Sequence, residues 1–202
     1  SSDLTETAET SQTAISFDTY LAKTRAGATG PETTETLKTN GFGVFACYTT
    51  GDYDNSAPNF MYNTKVTGST TTDGVTTWNY DKKRYWPNNG KISFFAYAPY
   101  VNIQGTETTG ITAITNNYTS NPNITYNLGK DITNCVDLLR GVKKGTEADN
   151  NINLTSGSGV VGFTFKHALA KFNIKAEASS TVDEYTKITI DNITITNTNL
   201  LQ

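Results

Sequence analysis

The side chains that could carry out catalysis in this chain are few and lie far apart in the sequence. His167 is the only histidine, so a Ser-His or Cys-His nucleophilic mechanism would have to use it. It stands in the run FTFKHALAKF, where Phe165 and Leu169 share its strand parity. We therefore predict a structural histidine, hydrogen-bonded at a sheet bulge, and no catalytic residue. One histidine and the separated Cys47 and Cys135 cannot form a usual structural zinc site, and the sequence contains neither a GxxxxGK[ST] nor an HExxH motif, so we expect no metal, no cofactor and no enzyme activity.

The run Asp52-Tyr53-Asp54-Asn55-Ser56 places oxygen ligands at alternating positions, as calcium loops do. The sixth and twelfth positions of such a loop should hold glycine and glutamate, but Ala57 and Asn63 stand there. We therefore interpret the run as a solvated loop without a bound cation.

Four aromatic residues that lie close together in the sequence have two interpretations. Trp78, Tyr80, Tyr85 and Trp86 could stack against a sugar ring and form a ligand-facing surface. Most aromatic side chains of a β-sandwich instead lie in its core. A coplanar, solvent-facing pair would favour glycan binding, whereas burial of all four would remove that interpretation.

The composition is typical of an exported β protein. Nearly one residue in five is threonine, which suits half-exposed strands, and charged residues make up only 17%. The net charge of -3 provides no basic surface, so we expect no nucleic-acid partner. No apolar run is long enough to span a membrane. The start, SSDLTETAET, has no signal-peptide pattern, which we interpret as an exported protein whose signal segment is not in this chain. Its two cysteines could pair outside the cytosol, although two independently buried thiols fit their isolated positions better.

Alternating apolar residues and turn signals predict an all-β fold. The strand over residues 41–50 is apolar on both faces, which indicates a central position in its sheet. Residues 85–100, YWPNNGKISFFAYAPY, predict a hairpin that turns at Asn88-Asn89-Gly90. Other strands are predicted over residues 14–21, 60–67, 75–80, 124–128, 160–177 and 188–195, with short apolar elements at 111–114 and 136–140. We predict an antiparallel β-sandwich, Ig-like, of about seven core strands with an additional N-terminal strand.

The sequence divides into three parts by composition. Residues 1–13 form a polar tail or tether, and residues 14–40 form an N-terminal strand followed by a flexible loop. Residues 41–202 form the β-sandwich domain. A strand joined to a basic loop, here Lys23-Thr24-Arg25-Ala26, is an arrangement open to proteolysis.

Three blocks of the chain resemble one known family, with consistent order and spacing. They are FGVFA at residues 42–46, YWP at 85–87 with ISFFAYAP at 92–99, and FTFKHALAKF at 163–172. The segments ISF at 15–17, TRA at 24–26 and DLL at 137–139 also fit. Together they resemble the N-terminal domain of the fimbrillin-like pilus and adhesin subunits of Bacteroides-type bacteria.

The resemblance implies a fold and a route of assembly. Members of the family are lipoproteins of the outer membrane, built from two transthyretin-like β-sandwich domains. An arginine-specific protease removes an N-terminal strand, and a strand from another subunit fills the opened groove. On this chain the resemblance assigns Arg25 and Ala26 to the cleaved bond, and Ile15, Phe17 and Leu21 to the removable strand.

We therefore expect a structural subunit of a bacterial surface pilus, or fimbrium, that functions in cell adhesion. Its partners would be other pilus subunits, with surface glycans or proteins of host or bacterial cells as further candidates. A membrane would be contacted only through an upstream lipid anchor. The alternative is a surface glycan-binding lipoprotein or pilus tip adhesin that uses exposed aromatic residues. We expect the sequence as given to cover only the first domain of the family, either as a fragment or as a departure from the two-domain plan, without the second domain and its strand-donating segment.

Overall fold

The computed structural model describes residues 12–22, 33–103, 107–114, 123–128, 136–145 and 151–169, and a few positions from 177 to 192. The chain divides into two compact units, Ser1–Ala170 and Lys171–Gln202. Every helix and strand described here belongs to the first unit. Half of the strand predicted over residues 188–195 lies outside the described residues, and the described half, residues 189–192, is not in a strand. Residues 170–176 of the predicted 160–177 strand also lie outside the described residues.

The described part of the first unit consists of ten strands and one short helix, with a 3₁₀ turn at Ser156–Ser158. In chain order these are β1 (Phe17–Leu21), α1 (Thr34–Asn40), β2 (Phe42–Thr49), β3 (Met61–Thr70), β4 (Thr76–Asn79), β5 (Lys91–Ala98), β6 (Gly110–Ile114), β7 (Ile124–Asn127), β8 (Leu139–Lys143), β9 (Asn151–Leu154) and β10 (Val161–His167). The predicted all-β class is confirmed.

Eight of these strands form one sheet in the order β1-β10-β8-β5-β2-β3-β4, with β9 paired to β5. Strands β6 and β7 form a separate two-stranded sheet. Neighbouring strands run antiparallel, except that β1 runs parallel to β10. The segment predicted as an additional N-terminal strand is therefore an edge strand of the main sheet.

The two faces of the main sheet bury different apolar clusters, as alternation along β2 and β5 predicts. Phe42 and Val44 of β2 lie in the main core, while Phe45 faces a second cluster. Phe94 of β5 likewise faces the main core, while Tyr97 faces the second cluster. The β6–β7 hairpin packs on this second cluster through Ile111, Ile114, Ile124 and Tyr126.

The main sheet curls around the main core, so that edge strands β1 and β4 contact each other. Backbone hydrogen bonds between residues 13–15 and residues 84–86 complete this contact. The sheet is thereby a nearly closed barrel, and residues 13–21 close the gap between its two edges.

The predicted hairpin over residues 85–100 is wrong. Tyr85 does not pair with β5; it forms an isolated antiparallel bridge with Ala14. The turn signal is real, since Gly90 has φ +77° and a Cβ there would lie 2.5 Å from the Tyr48 ring. However, the turn leads the chain into β5, whose partners are β2, β8 and β9, because Trp86 is buried in the core rather than aligned beside β5.

The loop predicted to run to Asn40 ends instead in helix α1. Thr33 caps the helix, accepting the Thr36 amide at 3.2 Å, and the Gly41 amide donates to the Leu37 carbonyl at 2.9 Å. Leu37 is fully buried in the main core. A helix of seven residues with one buried apolar side chain has no detectable periodicity, which is why the sequence pattern did not predict it.

Candidate functional site

The candidate site is the place that residues 13–22, called here the N-terminal segment, occupy in the barrel. The segment lies between two edges, β10 on one side and residues 84–86 on the other. We call these two edges and the main core between them the groove. Both edges and the core contribute to holding the segment.

On the first edge, β1 pairs in parallel with β10, from Phe17 opposite Val161 to Leu21 opposite Phe165. The Val161 amide donates to the Ser16 carbonyl at 2.9 Å, and the Ala22 amide donates to the Phe165 carbonyl at 3.1 Å. Within the described sheet, β1 has no strand on its other side, so this pairing can be exchanged without disturbing a further strand.

On the second edge, the pairing is short and antiparallel. The Ile15 amide donates to the Arg84 carbonyl at 2.8 Å, and the Trp86 amide donates to the Thr13 carbonyl at 2.9 Å. The chain thus moves from one edge to the other as it passes from Ile15 to Phe17.

The side chains of the N-terminal segment that face inward complete the main core. Ile15 is fully buried and Phe17 is 5% exposed, whereas Leu21 is partly buried against the core. The Phe17 ring stacks on Phe163 at 6.1 Å between ring centroids and meets the Tyr80 ring edge-on at 5.4 Å. Burial of an isoleucine or phenylalanine side chain stabilises the fold by about 1.5–3 kcal/mol. Ile15 and Phe17 therefore supply most of the free energy that the segment gains from apolar burial.

Tyr80 is the polar contact of the groove. Its hydroxyl donates to the Ile15 carbonyl at 2.7 Å in a buried hydrogen bond and accepts the Arg84 amide at 3.3 Å. Burial raises the pKa of Tyr80, since ionisation would place a charge at the core. The hydroxyl therefore joins the backbone of the N-terminal segment to the second edge.

Asp18 and Lys144 form an ion pair on the outer surface of β1, with both side chains about half exposed. Beside it is an open cleft of about 520 Å³, which Asn151, Leu154 and Gly162 also line. An exposed pair of this kind contributes little to stability, so the segment is held mainly by its buried contacts.

The residues of the expected cleavage site, Arg25 and Ala26, lie outside the described residues. The two other arginines are both described, and both have a paired backbone. Arg84 accepts the Ile15 amide, and Arg140 lies within β8 between its neighbours β10 and β5.

The predicted aromatic ligand surface is not formed. Trp78 and Tyr80 are each 7% exposed and Trp86 is 2% exposed, so only Tyr85, at 47%, has a ring available to solvent. The reason is that β4 and the segment after it turn their aromatic residues into the main core: Trp78 packs edge-on to Phe42. No pair of neighbouring exposed rings is left among these four.

His167 and the acidic loop have structural partners. His167 Nδ1 lies 2.7 Å from Asp137 Oδ1, which ties the end of β10 to the residues before β8. Its Nε2 has no hydrogen-bond partner among the described residues, so no nucleophile is paired with it there. Asp52 pairs with Lys91 at 2.5 Å and accepts from Asn153 at 3.3 Å.

The described residues contain no cluster of three or more acidic, histidine or cysteine side chains that could hold a metal ion. They also include no helix with the length and apolar character needed to cross a membrane. Cys47 is a free, buried thiol that contacts the Ser56 carbonyl at 3.3 Å, and burial raises its pKa to about 11. Its candidate partner, Cys135, lies outside the described residues.

Sequence reasoning identified the inward-facing residues of the N-terminal segment but missed what holds them. The second edge at residues 84–86 and the Tyr80 hydroxyl were not predicted, because they lie about seventy residues away in sequence and their role is carried by backbone groups. Alternation reports which side chains are buried, but it does not report which strand lies beside which.

Comparison with known proteins identifies the family. A family model described as fimbrillin-like matches residues 24–201. The fimbrium subunit Fim1C of Phocaeicola vulgatus is 36% identical over 197 residues, which cover 92% of this chain and 49% of that relative. The chain therefore spans about half the length of this curated relative, and no solved structure gives a significant match. The resemblance seen in the three sequence blocks is confirmed, and the chain belongs to the fimbrillin-like family.

Proposed function

We propose that this chain is part of a non-enzymatic structural subunit of a bacterial surface pilus that functions in cell adhesion. Membership of the fimbrillin-like family and the similarity to a fimbrium subunit support this function. The pilus places the protein at the cell surface, with other pilus subunits as its partners. In this proposal the membrane is contacted only through a lipid anchor upstream of the chain, at the outer membrane.

We further propose that the subunit assembles by strand addition. Proteolysis after Arg25 would release the N-terminal segment, and a strand from another subunit would then fill the groove. The observation that carries this step is the placement of the segment: an edge strand with buried Ile15 and Phe17, hydrogen-bonded to β10 and to residues 84–86. Its removal would leave unpaired backbone on both edges and an open apolar core, which is the surface that an added strand fits.

Selectivity for the bond between Arg25 and Ala26 is supported by the state of the other two arginines. Arg140 is inside the sheet and Arg84 is paired with the N-terminal segment, and a protease needs an unpaired, extended backbone at the bond it cuts. Arg25 precedes the described helix and follows β1, on the connection between them.

The test is digestion of the folded chain with an arginine-specific endopeptidase, followed by N-terminal sequencing. We expect a new N-terminus at Ala26 and, after release of residues 1–25, increased fluorescence of a dye that binds apolar surface. A matched Arg25→Lys variant should give neither result. A folded chain that is cut at Arg84 or Arg140 while Arg25 stays intact would refute the processing step.

A synthetic peptide of residues 12–22 tests the acceptor side of the proposal. Added to the cleaved chain, it should restore the low dye fluorescence, because it can make the same hydrogen bonds and bury the same side chains. A control peptide with aspartate in place of Ile15 and Phe17 should have no effect. If both peptides lower the dye fluorescence equally, binding to the groove does not depend on the apolar side chains, and strand addition is refuted.

A further inference from the structure

The basic run at residues 82–84 is followed by a peptide bond whose carbonyl is paired with the N-terminal segment. Arg84 and Tyr85 are both exposed, and Tyr85 lies opposite Ala14 in an antiparallel bridge. The Arg84 carbonyl accepts the Ile15 amide at 2.8 Å on one side of this bridge. The next amide, that of Trp86, donates to the Thr13 carbonyl at 2.9 Å. The backbone of the Arg84–Tyr85 bond is therefore engaged along the edge that residues 13–15 occupy.

Proteases bind their substrates as extended strands and form backbone hydrogen bonds with them, so a bond already paired in this way is not a substrate. We infer that the Arg84–Tyr85 bond is a second cleavage site for a trypsin-like, arginine-specific endopeptidase, concealed while residues 13–15 fill the groove. Hydrolysis there would add one water across the bond, leaving a carboxylate on Arg84 and an amine on Tyr85. The concealment does not depend on the proposed function, but the natural event that ends it, release of the N-terminal segment, rests on that function.

Once the N-terminal segment leaves, Arg84 keeps its contacts with Phe60 and with the Tyr80 hydroxyl. Its guanidinium donates to the Phe60 carbonyl at 2.8 Å and lies over the Phe60 ring at 5.1 Å. A carboxylate in the specificity pocket of the protease offers that guanidinium a stronger, charge-assisted partner. The Tyr80 hydroxyl contacts the Arg84 amide at 3.3 Å and the Arg84 carbonyl at 3.5 Å, so the protease has to displace these two long contacts. The 2.7 Å hydrogen bond from the same hydroxyl to the Ile15 carbonyl is lost with the segment. Lys82 and Lys83, which would occupy the adjoining subsites, are already exposed.

Arg140 provides an internal reference for unfolding. It is opposite Lys166 of β10 on one side and Tyr97 of β5 on the other. Cleavage after Arg140 therefore requires the sheet itself to open, whereas cleavage after Arg84 requires only the N-terminal segment to leave. The ratio of the two cleavage rates separates local from global opening.

A subunit that has been cut after Arg25 would have only a limited time in which to assemble. A chain that has lost its N-terminal segment and received no replacement exposes Arg84 to the same class of protease. A chain whose groove is filled by another strand has residues 84–86 paired again and is protected. The protease would thus destroy activated subunits that fail to assemble.

The experiment follows cleavage at each of the three arginines by mass spectrometry, using an arginine-specific endopeptidase on the wild-type chain and on Arg25→Lys. In the wild type, we expect Arg84 to be cut after Arg25. Because proteolysis follows the population of the open form, Arg84 should be cut at least about tenfold faster in the wild type than in Arg25→Lys, with no matching rise at Arg140. The peptide of residues 12–22 should slow the cut at Arg84 again. Equal rates at Arg84 in the two chains, or rates at Arg84 and Arg140 that rise together, would overturn the inference.

A second pair of variants keeps the test independent of Arg25. Ile15→Asp places a charge in the groove and should accelerate cleavage at Arg84 in a chain that also carries Arg25→Lys. The matched Tyr20→Ala change, on the exposed face of β1, should not. If wild-type Arg25 resists the protease while Ile15→Asp still exposes Arg84, the processing step of the proposed function fails and the concealed site stands. If Ile15→Asp leaves Arg84 protected, the concealed site is refuted whatever happens at Arg25.

Discussion

Replacing Phe17 with alanine tests whether one side chain carries the attachment of the N-terminal segment. The side chain is 5% exposed, and its ring lies 5.4–6.3 Å from the rings of four other core residues: Phe42, Tyr80, Phe94 and Phe163. Truncation of a buried phenylalanine to alanine typically costs about 3–5 kcal/mol. Because β1 is an edge strand and can relax, we expect a cost near the lower end, about 3 kcal/mol, out of a total stability of about 5–15 kcal/mol.

The assay is urea denaturation followed by the fluorescence of Trp78 and Trp86, the two tryptophans of the chain, which both lie in the main core. With a urea dependence of about 1–3 kcal/mol per molar, a cost of about 3 kcal/mol lowers the midpoint by about 1–3 M. The matched control is Tyr20→Ala on the same strand, where the side chain is 52% exposed. The control should change stability by less than about 0.5 kcal/mol.

Two forms of the result are consistent with the reasoning. The main transition shifts to lower urea, or dye binding reveals an early transition in which the N-terminal segment leaves before the barrel unfolds. The reasoning is refuted if Phe17→Ala, with an unchanged circular dichroism spectrum, has the same midpoint and dye binding as Tyr20→Ala. In that case the segment would be held by its backbone alone.

Three further predictions concern single side chains. Tyr80→Phe removes the hydroxyl that donates to the Ile15 carbonyl, so it should destabilise by about 1–3 kcal/mol in urea denaturation; no change would mean that water replaces the bond. The Cys47 thiol, whose pKa burial raises to about 11 from an ordinary value of 9.0, should stay protonated in the folded chain at pH 9. A thiol reagent should then modify it far more slowly than in urea, and the stability that the protonated thiol contributes should be lost as pH rises from 9 through 11; equal modification rates would refute its burial. Asp18→Asn removes the exposed pair with Lys144 and should cost at most about 1 kcal/mol, less in high salt; a larger, salt-independent loss in the denaturation midpoint would contradict the surface assignment.

The parts of the fold that alternation determines were predictable from the sequence. In β2 and β5, neighbouring apolar residues face different clusters, so the sequence pattern identified Phe42 with Val44 on one face and Phe45 on the other. The pattern also placed Ile15 and Phe17 inward, and both are buried. These assignments depend only on local spacing, which is why they hold without knowledge of the partners.

The parts that depend on long-range pairing were not predictable. The aromatic residues at 85–86 fitted a local hairpin, but the N-terminal segment competes for the same backbone and gains buried contacts by doing so. The burial of Trp78 and Trp86 in the main core was not foreseen for a related reason. Composition alone cannot tell an aromatic residue that closes a core from one that meets a ligand, since both occur beside turns and strand ends.

Cleavage after Arg25, as proposed, would remove no contact between the N-terminal segment and the groove. Its effect is to turn an intramolecular strand into a separate peptide. A covalent connection within one chain holds a strand at an effective concentration of about millimolar, and cutting it replaces that value with the concentration of free peptide. The hydrogen bonds to β10 and to residues 84–86 and the burial of Ile15 and Phe17 then have to hold the peptide alone. A competing strand would have a high effective concentration only where its own subunit is already held beside this one. In that arrangement, exchange would favour the incoming strand even with contacts no better than those of residues 13–22, and proteolysis would set the direction of assembly.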